Sequence, residues 1–185
     1  MRIAARLAAS GIVSTVASLW GATATPGVGD TAPDFALSRA AGGSAVRLSQ
    51  AAAAGKVALI VLRGYPGYQC PLCNRQVQDL IRNAKLLDGL HVILIYPGPS
   101  ASMEANAKEF LAGKAFPGNF DLLVDPGYKV TDLYGLRWDK PGETAYPSTF
   151  LLDKGGKVTF AKVSREHGGR TTAAEIAKAA QLTNK

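Results

Sequence analysis

The chain has 185 residues, of which 47% are hydrophobic and 19% are charged. This balance is typical of a single globular domain, and it excludes the disordered and fibrous classes of protein. The formal net charge is +7, but the basic residues are interspersed with acidic ones and form no cluster with interleaved aromatic side chains, so nucleic-acid binding is not expected.

The first 24 residues have the pattern of a secretory signal peptide. Two arginines precede an acid-free apolar run at residues 7–19, and Ala22-Thr23-Ala24 supplies small side chains for a cleavage site. The run is shorter than the roughly 20 residues that a membrane-spanning helix needs. We therefore predict cleavage after Ala24, no stable membrane insertion afterwards, and a mature domain of residues 25–185 that is periplasmic or secreted. An uncleaved anchor is the alternative.

The first elements of the mature chain are predicted to be a β-hairpin, a short helix and a buried strand. Residues 33–37 and 45–48 flank a Gly42-Gly43 turn, which favours an N-terminal hairpin. A brief helix follows at residues 49–54. Residues 57–62 are continuously apolar, as expected for a central strand that is covered on both faces.

The remaining elements alternate between helices and strands. In order, they are a helix from 70 to about 87, a strand at 91–96, a helix at 102–112 with Ser102 as its cap, a strand at 120–124, a helix at 128–134, a hairpin of strands 149–153 and 158–162, and a helix at 171–182 with Thr171 near its cap. This order predicts an α/β fold, a three-layer sandwich with a mixed central sheet.

Cys70-Pro71-Leu72-Cys73 contains the only two cysteines of the chain, at the predicted start of a helix. Two thiols at this spacing are close enough to be oxidised to one disulfide. Free backbone N–H groups and the helix dipole favour negative charge there, which lowers the pKa of the first thiol. The pattern therefore predicts a redox site whose first sulfur is ionised and reachable by solvent.

Two structural interpretations of the cysteine pair are weaker. A zinc site needs a second pair of Cys or His ligands at similar spacing, and the two histidines, His91 and His167, are far apart in the sequence. A structural disulfide would close a very short loop, so it would remove little entropy from the unfolded chain. We expect no metal and no organic cofactor at this site.

Three further stretches follow one another in an informative order: Ala32-Pro33-Asp34-Phe35, residues 64–73, and residues 146–156. Together they resemble the peroxiredoxin-like redoxins of the alkyl hydroperoxide reductase/thiol-specific antioxidant family, and the resemblance covers about residues 29–182. It implies a thioredoxin-like fold in which Cys70 is the attacking cysteine and Cys73 the resolving one. It also implies that Pro147 is the cis-proline that packs beside the pair.

The chain departs from the family pattern at three positions. Typical members carry Pro seven residues and Thr or Ser three residues before the attacking cysteine, where this chain has Arg63 and Gly67. They also carry an arginine just before the late strand, where this chain has Pro147. Substitutes for the missing peroxide-activating groups are the positive charge of Arg63 or Arg75 and the hydroxyl of Tyr68.

Two redox functions agree with these residues. The leading prediction is an antioxidant enzyme that reduces peroxides through Cys70 and Cys73 and is then reduced by a thioredoxin-like dithiol partner. The alternative is thioredoxin-like thiol–disulfide exchange on secreted proteins, which the departures from the family pattern favour. Non-enzymatic copper binding is a weaker hypothesis, because only His167 is available as a third ligand and it must fold back to reach the pair.

Overall fold

The structure, a computed structural model, describes residues 24–182. The predicted signal segment therefore lies outside the described residues, apart from Ala24. Between residues 24 and 182, no helix combines the length and apolar character that crossing a membrane requires.

The described residues form a short hairpin, a five-stranded sheet and five α-helices. In chain order the elements are β1 (Ala36–Leu37), β2 (Val46–Arg47), α1 (Leu48–Ala54), β3 (Lys56–Val61), α2 (Pro71–Arg82), a 3₁₀ helix (Ala84–Leu87), β4 (Leu90–Gly98), α3 (Met103–Leu111), β5 (Phe120–Pro126), α4 (Lys129–Leu133), β6 (Ser148–Leu152), β7 (Val158–Val163) and α5 (Ala173–Leu182).

The sheet is mixed, as the sequence predicts. Its strand order is β5-β4-β3-β6-β7, with β3 parallel to β4 and β4 parallel to β5, whereas β6 runs antiparallel to both β3 and β7. Parallel neighbours need a crossover connection, which α2 and α3 supply, while β6 and β7 need only a tight turn. The predicted antiparallel hairpin is also present as β1 and β2.

Alternate side chains of β3 divide the interior into two apolar clusters. Ala58 and Ile60 pack with α2, α3 and α5, whereas Val57, Leu59 and Val61 pack with the hairpin, α1 and α4. Successive side chains of a strand point to opposite faces, so a continuously apolar strand is covered on both sides. The three-layer α/β/α prediction is confirmed.

The loop between β3 and α2 is fixed against the end of β4. The N–H of Tyr65 donates to the carbonyl oxygen of Pro97 at 3.1 Å. Gly64 has a φ of +72°, and a Cβ atom at this position would lie 1.9 Å from the same oxygen. Only glycine fits this left-handed and crowded position, and the chain then reaches α2 at the carboxyl edge of the parallel strands.

Two helix boundaries differ from the sequence prediction. The predicted helix 70–87 ends as an α-helix at Arg82 and is followed by the separate 3₁₀ helix. The predicted helix 171–182 begins at Ala173, and Thr171 lies near its cap, as expected, next to the capping residue Thr172. The hydroxyl of Thr172 accepts from the N–H of Glu175 at 3.2 Å, and the Glu175 carboxylate accepts from the N–H of Thr172 at 2.8 Å. This reciprocal pair is a capping box, and the Thr-x-x-Glu spacing is its sequence signal.

The predicted cap of α3 is correct in position only. Ser102 occupies the N-cap with a left-handed φ of 65°, and its side chain makes no capping hydrogen bond to the helix backbone. Its hydroxyl accepts instead from the side-chain amide of Asn106 at 3.2 Å. The serine therefore joins two side chains rather than satisfying the free N–H groups of the first turn.

Candidate redox active site

Cys70 is the N-cap residue of α2. Its backbone is extended, with φ −68° and ψ 113°, and its Sγ atom accepts a hydrogen bond from the N–H of Cys73 at 3.4 Å. Pro71 occupies the first helical position, where its missing N–H costs nothing because that group has no partner within a helix. The Cys-Pro-x-Cys sequence thus places a sulfur where helices usually hold a capping oxygen.

Cys73 lies one turn into the helix and is fully buried. Both cysteines are free thiols; the thiol of Cys73 donates to the sulfur of Cys70, and the N–H of Gly64 donates to the sulfur of Cys73. Burial raises the pKa of Cys73 well above its usual value, and the hydrogen bond to Cys70 raises it further. Cys73 therefore holds the proton that the two sulfurs share.

The pKa of Cys70 is lowered to about 5. The largest cause is the hydrogen bond from the Cys73 thiol; burial opposes it, and the N–H of Cys73 and the charges of Arg170 and Arg63 add to the lowering. Each of these donors and charges favours the ionised sulfur over the neutral thiol. At neutral pH, Cys70 is a thiolate.

The sulfur of Cys70 is less open than the sequence predicts. The residue is only 2% exposed, so the expectation of a freely solvent-reachable thiol is wrong. The reason is that a loop from the other end of the chain covers it: Nη2 of Arg170 lies 3.9 Å from the Cys70 Sγ. Cys70 also belongs to the apolar cluster on this face of the sheet, but the cation beside its sulfur supports ionisation.

Arg170 is a site residue that the sequence analysis missed. Its Nη1 donates to Oε1 of Gln76 at 3.2 Å, and its Nε donates to the carbonyl oxygen of His167 at 3.1 Å. Gln76 is buried on α2, one turn after Cys73. Arginine and cysteine are 100 positions apart, and the Gly168-Gly169 pair before Arg170 was the only local sign of a tight loop here.

Arg63 and Tyr68, two of the candidate substitutes for the peroxide-activating groups, contact each other. Arg63 is buried, and all three of its side-chain nitrogens have partners: Nε pairs with Oε2 of Glu143 at 2.7 Å, Nη1 donates to the hydroxyl oxygen of Tyr68 at 2.8 Å, and Nη2 donates to the carbonyl oxygen of Gly142 at 2.7 Å. Arg75, by contrast, is exposed and lines a cleft of about 350 Å³ beside Arg170.

Glu143 connects Arg63 to the loop that carries Arg170. Its Oε2 accepts from Arg63, and its Oε1 lies 2.8 Å from Nε2 of His167, whose ring packs 5.0 Å from that of Trp138. Burial disfavours the Glu143 carboxylate, but the hydrogen bonds from His167 and Arg63 outweigh it and lower its pKa. One ring nitrogen of His167 is therefore engaged in a hydrogen bond with the Glu143 carboxylate.

No metal-ligand cluster is formed by the described part of the chain. Among residues 24–182, the side chains of His, Cys, Asp and Glu make no group of three that could hold a metal ion. His167, the candidate third ligand for copper, points its Nε2 at Glu143.

Pro147 immediately precedes β6, and its peptide bond is trans, as are all the others of residues 24–182. The implied cis-proline is therefore wrong. The carbonyl oxygen of Pro147 accepts from the N–H of Ser164 at 2.9 Å, and the hydroxyls of Thr149 and Thr171 form a 2.6 Å hydrogen bond. These two contacts tie both ends of the loop 164–171 to the start of β6, which fixes the loop that carries Arg170.

Gln69, the residue before Cys70, is held from two sides. The hydroxyl of Tyr96 donates to its Oε1 at 2.8 Å, and its Nε2 donates to the carbonyl oxygen of Asn106 at 2.9 Å. The end of β4 and helix α3 therefore both position the segment that carries the Cys70 sulfur.

Residues 28–161 match the AhpC/TSA family, and the chain belongs to that family. A curated relative, the putative chloroplastic peroxiredoxin Q of Oryza sativa subsp. indica, is 34% identical over 135 residues, which cover 71% of this chain. The match spans 57% of the relative's own length. The family resemblance that the three motifs carry is confirmed.

Solved structures agree on the fold. Peroxidoxin BcpB from Mycobacterium tuberculosis has a TM-score of 0.64 at 22% identity, covering 86% of this chain and 99% of that one. A putative thiol:disulfide interchange protein DsbE from Chlorobium tepidum has a TM-score of 0.57 at 26% identity, covering 86% and 97%. The thioredoxin-like architecture is thus shared with peroxiredoxins and with a disulfide interchange protein.

Proposed function

We propose that this protein reduces peroxides with Cys70 as the attacking cysteine. The observation that carries the proposal is the Cys70 sulfur at the start of α2, where the N–H of Cys73 at 3.4 Å and Nη2 of Arg170 at 3.9 Å help to lower its pKa to about 5. A thiolate, not a thiol, is the nucleophile in this chemistry. The Cys70 sulfur attacks the terminal oxygen of a hydroperoxide, the O–O bond breaks, and the remaining alkoxide or hydroxide takes a proton from water, which leaves Cys70 as a sulfenic acid.

Cys73 then resolves the sulfenic acid. Its sulfur attacks that of Cys70, water leaves, and an intramolecular disulfide forms. The hydrogen bond and the negative charge of Cys70 both raise the pKa of Cys73 in the reduced site. Oxidation of Cys70 removes that negative charge, so Cys73 ionises more readily before it attacks the sulfenic acid. A thioredoxin-like dithiol then restores both thiols by exchange.

The test is a stopped-flow measurement of peroxide consumption by the reduced protein. We expect the wild type to react with hydrogen peroxide or cumene hydroperoxide much faster than free cysteine at the same pH. Cys70→Ser is expected to lose this reaction, whereas Cys73→Ser is expected to keep one rapid turnover and stop at the sulfenic acid, which a dimedone adduct detects by mass. A wild type no faster than free cysteine would refute the proposal.

Thiol–disulfide exchange is the second candidate. It is favoured by the Cys-x-x-Cys spacing, by the absence of the family's usual Thr or Ser at Gly67, and by the 26% identity to the DsbE-like structure. The Cys73→Ser variant separates the two functions, because it leaves a mixed disulfide between Cys70 and a protein substrate unresolved. Rapid peroxide consumption without trapped partners supports peroxide reduction; trapped partners with slow peroxide consumption support exchange.

We also propose that the mature protein works outside the cytoplasm, in the periplasm or secreted. The support is the arginine, apolar run and small-residue pattern of residues 1–24. In such a compartment the cysteine pair needs a dedicated dithiol donor. Amino-terminal sequencing of the protein from its native host is expected to begin at Thr25, and a retained Met1 would contradict cleavage.

A further inference from the structure

The site lacks a free guanidinium where the family pattern puts one. The position just before β6 is Pro147, which carries no charge. Arg63 is close enough to influence Cys70, but its three nitrogens are bonded to Glu143, Tyr68 and Gly142. Three of the five N–H groups of Arg63 are therefore committed to these protein contacts, which fix its guanidinium in place.

We propose that Arg170, supplied by the loop 164–171, is the catalytic arginine of this protein, which orients the peroxide on the Cys70 sulfur and stabilises the oxygen that leaves. This inference rests on the proposed peroxide reduction. Nη2 of Arg170 lies 3.9 Å from the Cys70 Sγ and points a donor at it. That separation is longer than a strong charge-assisted hydrogen bond, so the guanidinium remains able to bind an incoming oxygen.

Two contacts aim Arg170. Gln76 accepts from Nη1, and the carbonyl of His167 accepts from Nε, which leaves Nη2 turned to the sulfur. Gln76 is itself fixed, because its Nε2 donates to the carbonyl oxygen of Thr171 at 3.1 Å. Gln76 is therefore a positioning residue. An arginine fork suits this task, since separate nitrogens can hold the protein and the substrate at once, which a lysine cannot do.

In the reaction the sulfur forms a bond to the terminal oxygen of the peroxide while the O–O bond breaks. Negative charge moves from Cys70 to the leaving oxygen, which is protonated by water. Arg170 contacts the thiolate before the step and the developing oxyanion during it, and a fixed donor at a place where charge develops lowers the barrier. The same arginine also lines the cleft of about 350 Å³ beside α2, which gives an organic hydroperoxide room for its carbon chain.

The experiment compares Arg170→Gln with Arg165→Gln in the full mature chain. Arg165 lies in the same loop with its guanidinium 4.6 Å from the ring centre of Tyr146, so both variants lose one loop charge. For each protein the second-order rate of Cys70 oxidation by hydrogen peroxide is measured across pH, beside the rate of alkylation by iodoacetamide. Alkylation needs the thiolate but has no O–O bond to orient.

We expect Arg170→Gln to react with peroxide about 10- to 100-fold more slowly, as for loss of one hydrogen bond to a charged group. The defect is expected to persist at pH values where Cys70 is fully ionised, whereas alkylation there is expected to match the wild type. Arg170→Lys should restore the charge but little of the rate, and Gln76→Met should slow peroxide oxidation with unchanged alkylation at high pH.

Three results would overturn the assignment of Arg170. They are an Arg170→Gln rate equal to that of Arg165→Gln, a defect that disappears once Cys70 is fully ionised, or an equal loss of peroxide and iodoacetamide reactivity in a folded variant. Failure of the proposed function looks different, because the wild type itself would then react with peroxide no faster than free cysteine. Circular dichroism establishes that each variant is folded before the rates are compared.

Discussion

Two arginines act on the charge of Cys70, and the structure holds them in different ways. Arg63 is buried, and each of its nitrogens is occupied by a carboxylate, a phenol or a carbonyl. Arg170 is partly exposed. Its Nε and Nη1 donate hydrogen bonds to His167 and Gln76, and its third nitrogen, Nη2, points to Cys70. Both charges lower the pKa of that cysteine, and the contribution of Arg170 is the larger.

The difference indicates a division of tasks. A buried arginine with a partner on each side-chain nitrogen stabilises the fold, and removing it leaves an uncompensated carboxylate behind. An arginine at the protein surface contributes little to stability, but it can change partners during a reaction. We therefore expect mutations around Arg63 to change the free energy of unfolding and mutations around Arg170 to change reactivity.

Arg63→Met is expected to have the largest effect on stability. It leaves the Glu143 carboxylate, whose side chain is 12% exposed, without its arginine partner, and the expected loss in the free energy of unfolding is about 3 kcal/mol. Urea denaturation followed by circular dichroism measures it. The double variant Arg63→Met/Glu143→Gln should recover part of the loss, and a single variant as stable as the wild type would remove the basis of the comparison.

Gly64→Ala is expected to rank next, at about 2–3 kcal/mol, because the added methyl group meets the Pro97 carbonyl and the backbone must stay left-handed. Gly67→Ala is the matched control. It has a φ of +107° in the same loop but open space around its Cβ position, so it should cost only the backbone strain, about 1 kcal/mol. Equal midpoints for the two variants in urea denaturation would show that the contact with Pro97 is unimportant.

Thr149→Val tests the attachment of the loop that carries Arg170. It removes one hydroxyl of the buried 2.6 Å pair and leaves that of Thr171 unsatisfied, which should cost about 1–2 kcal/mol. The loop should also become easier to open, so amide hydrogen exchange of residues 164–171 is expected to accelerate. Unchanged exchange in this segment would mean that the loop is held elsewhere.

Arg170→Gln is expected to have the smallest effect on stability. Two hydrogen bonds of a partly exposed side chain are lost, but a glutamine amide can be hydrated in place, so the free energy of unfolding should fall by no more than about 1 kcal/mol. Urea denaturation beside Arg63→Met gives the comparison directly. A loss as large as that of Arg63→Met would mean that Arg170 is structural.

The sequence predicted those parts of the fold that depend on local pattern. Residues 57–62 form the central strand because a continuous apolar run has to be covered on both faces, and Cys70-Pro71 begins a helix because proline suits the first helical position. The start of α5 was predicted two residues early, because the Thr-x-x-Glu signal that sets it begins at Thr172, next to the predicted Thr171.

In the candidate site, the sequence predicted mainly the residues that lie close to the two cysteines along the chain. Arg63, Tyr68 and the two cysteines lie within 11 consecutive positions. Arg170, Glu143 and His167 come from later loops that tertiary packing brings back to the start of α2. The sequence singled out His167 only as a copper ligand, and the side chains of Arg170 and Glu143 belong to no motif that would distinguish them from solvated surface residues. The near-complete burial of Cys70 has the same origin.

Cys70 is ionised at neutral pH because its environment favours negative charge. The most direct test is the rate of iodoacetamide alkylation of Cys70 against pH in the reduced wild-type protein, with the modified residue identified by mass. We predict a rate that rises with a midpoint near pH 5 and is constant through neutrality. A midpoint near the ordinary thiol value of about 8.5 would contradict the account.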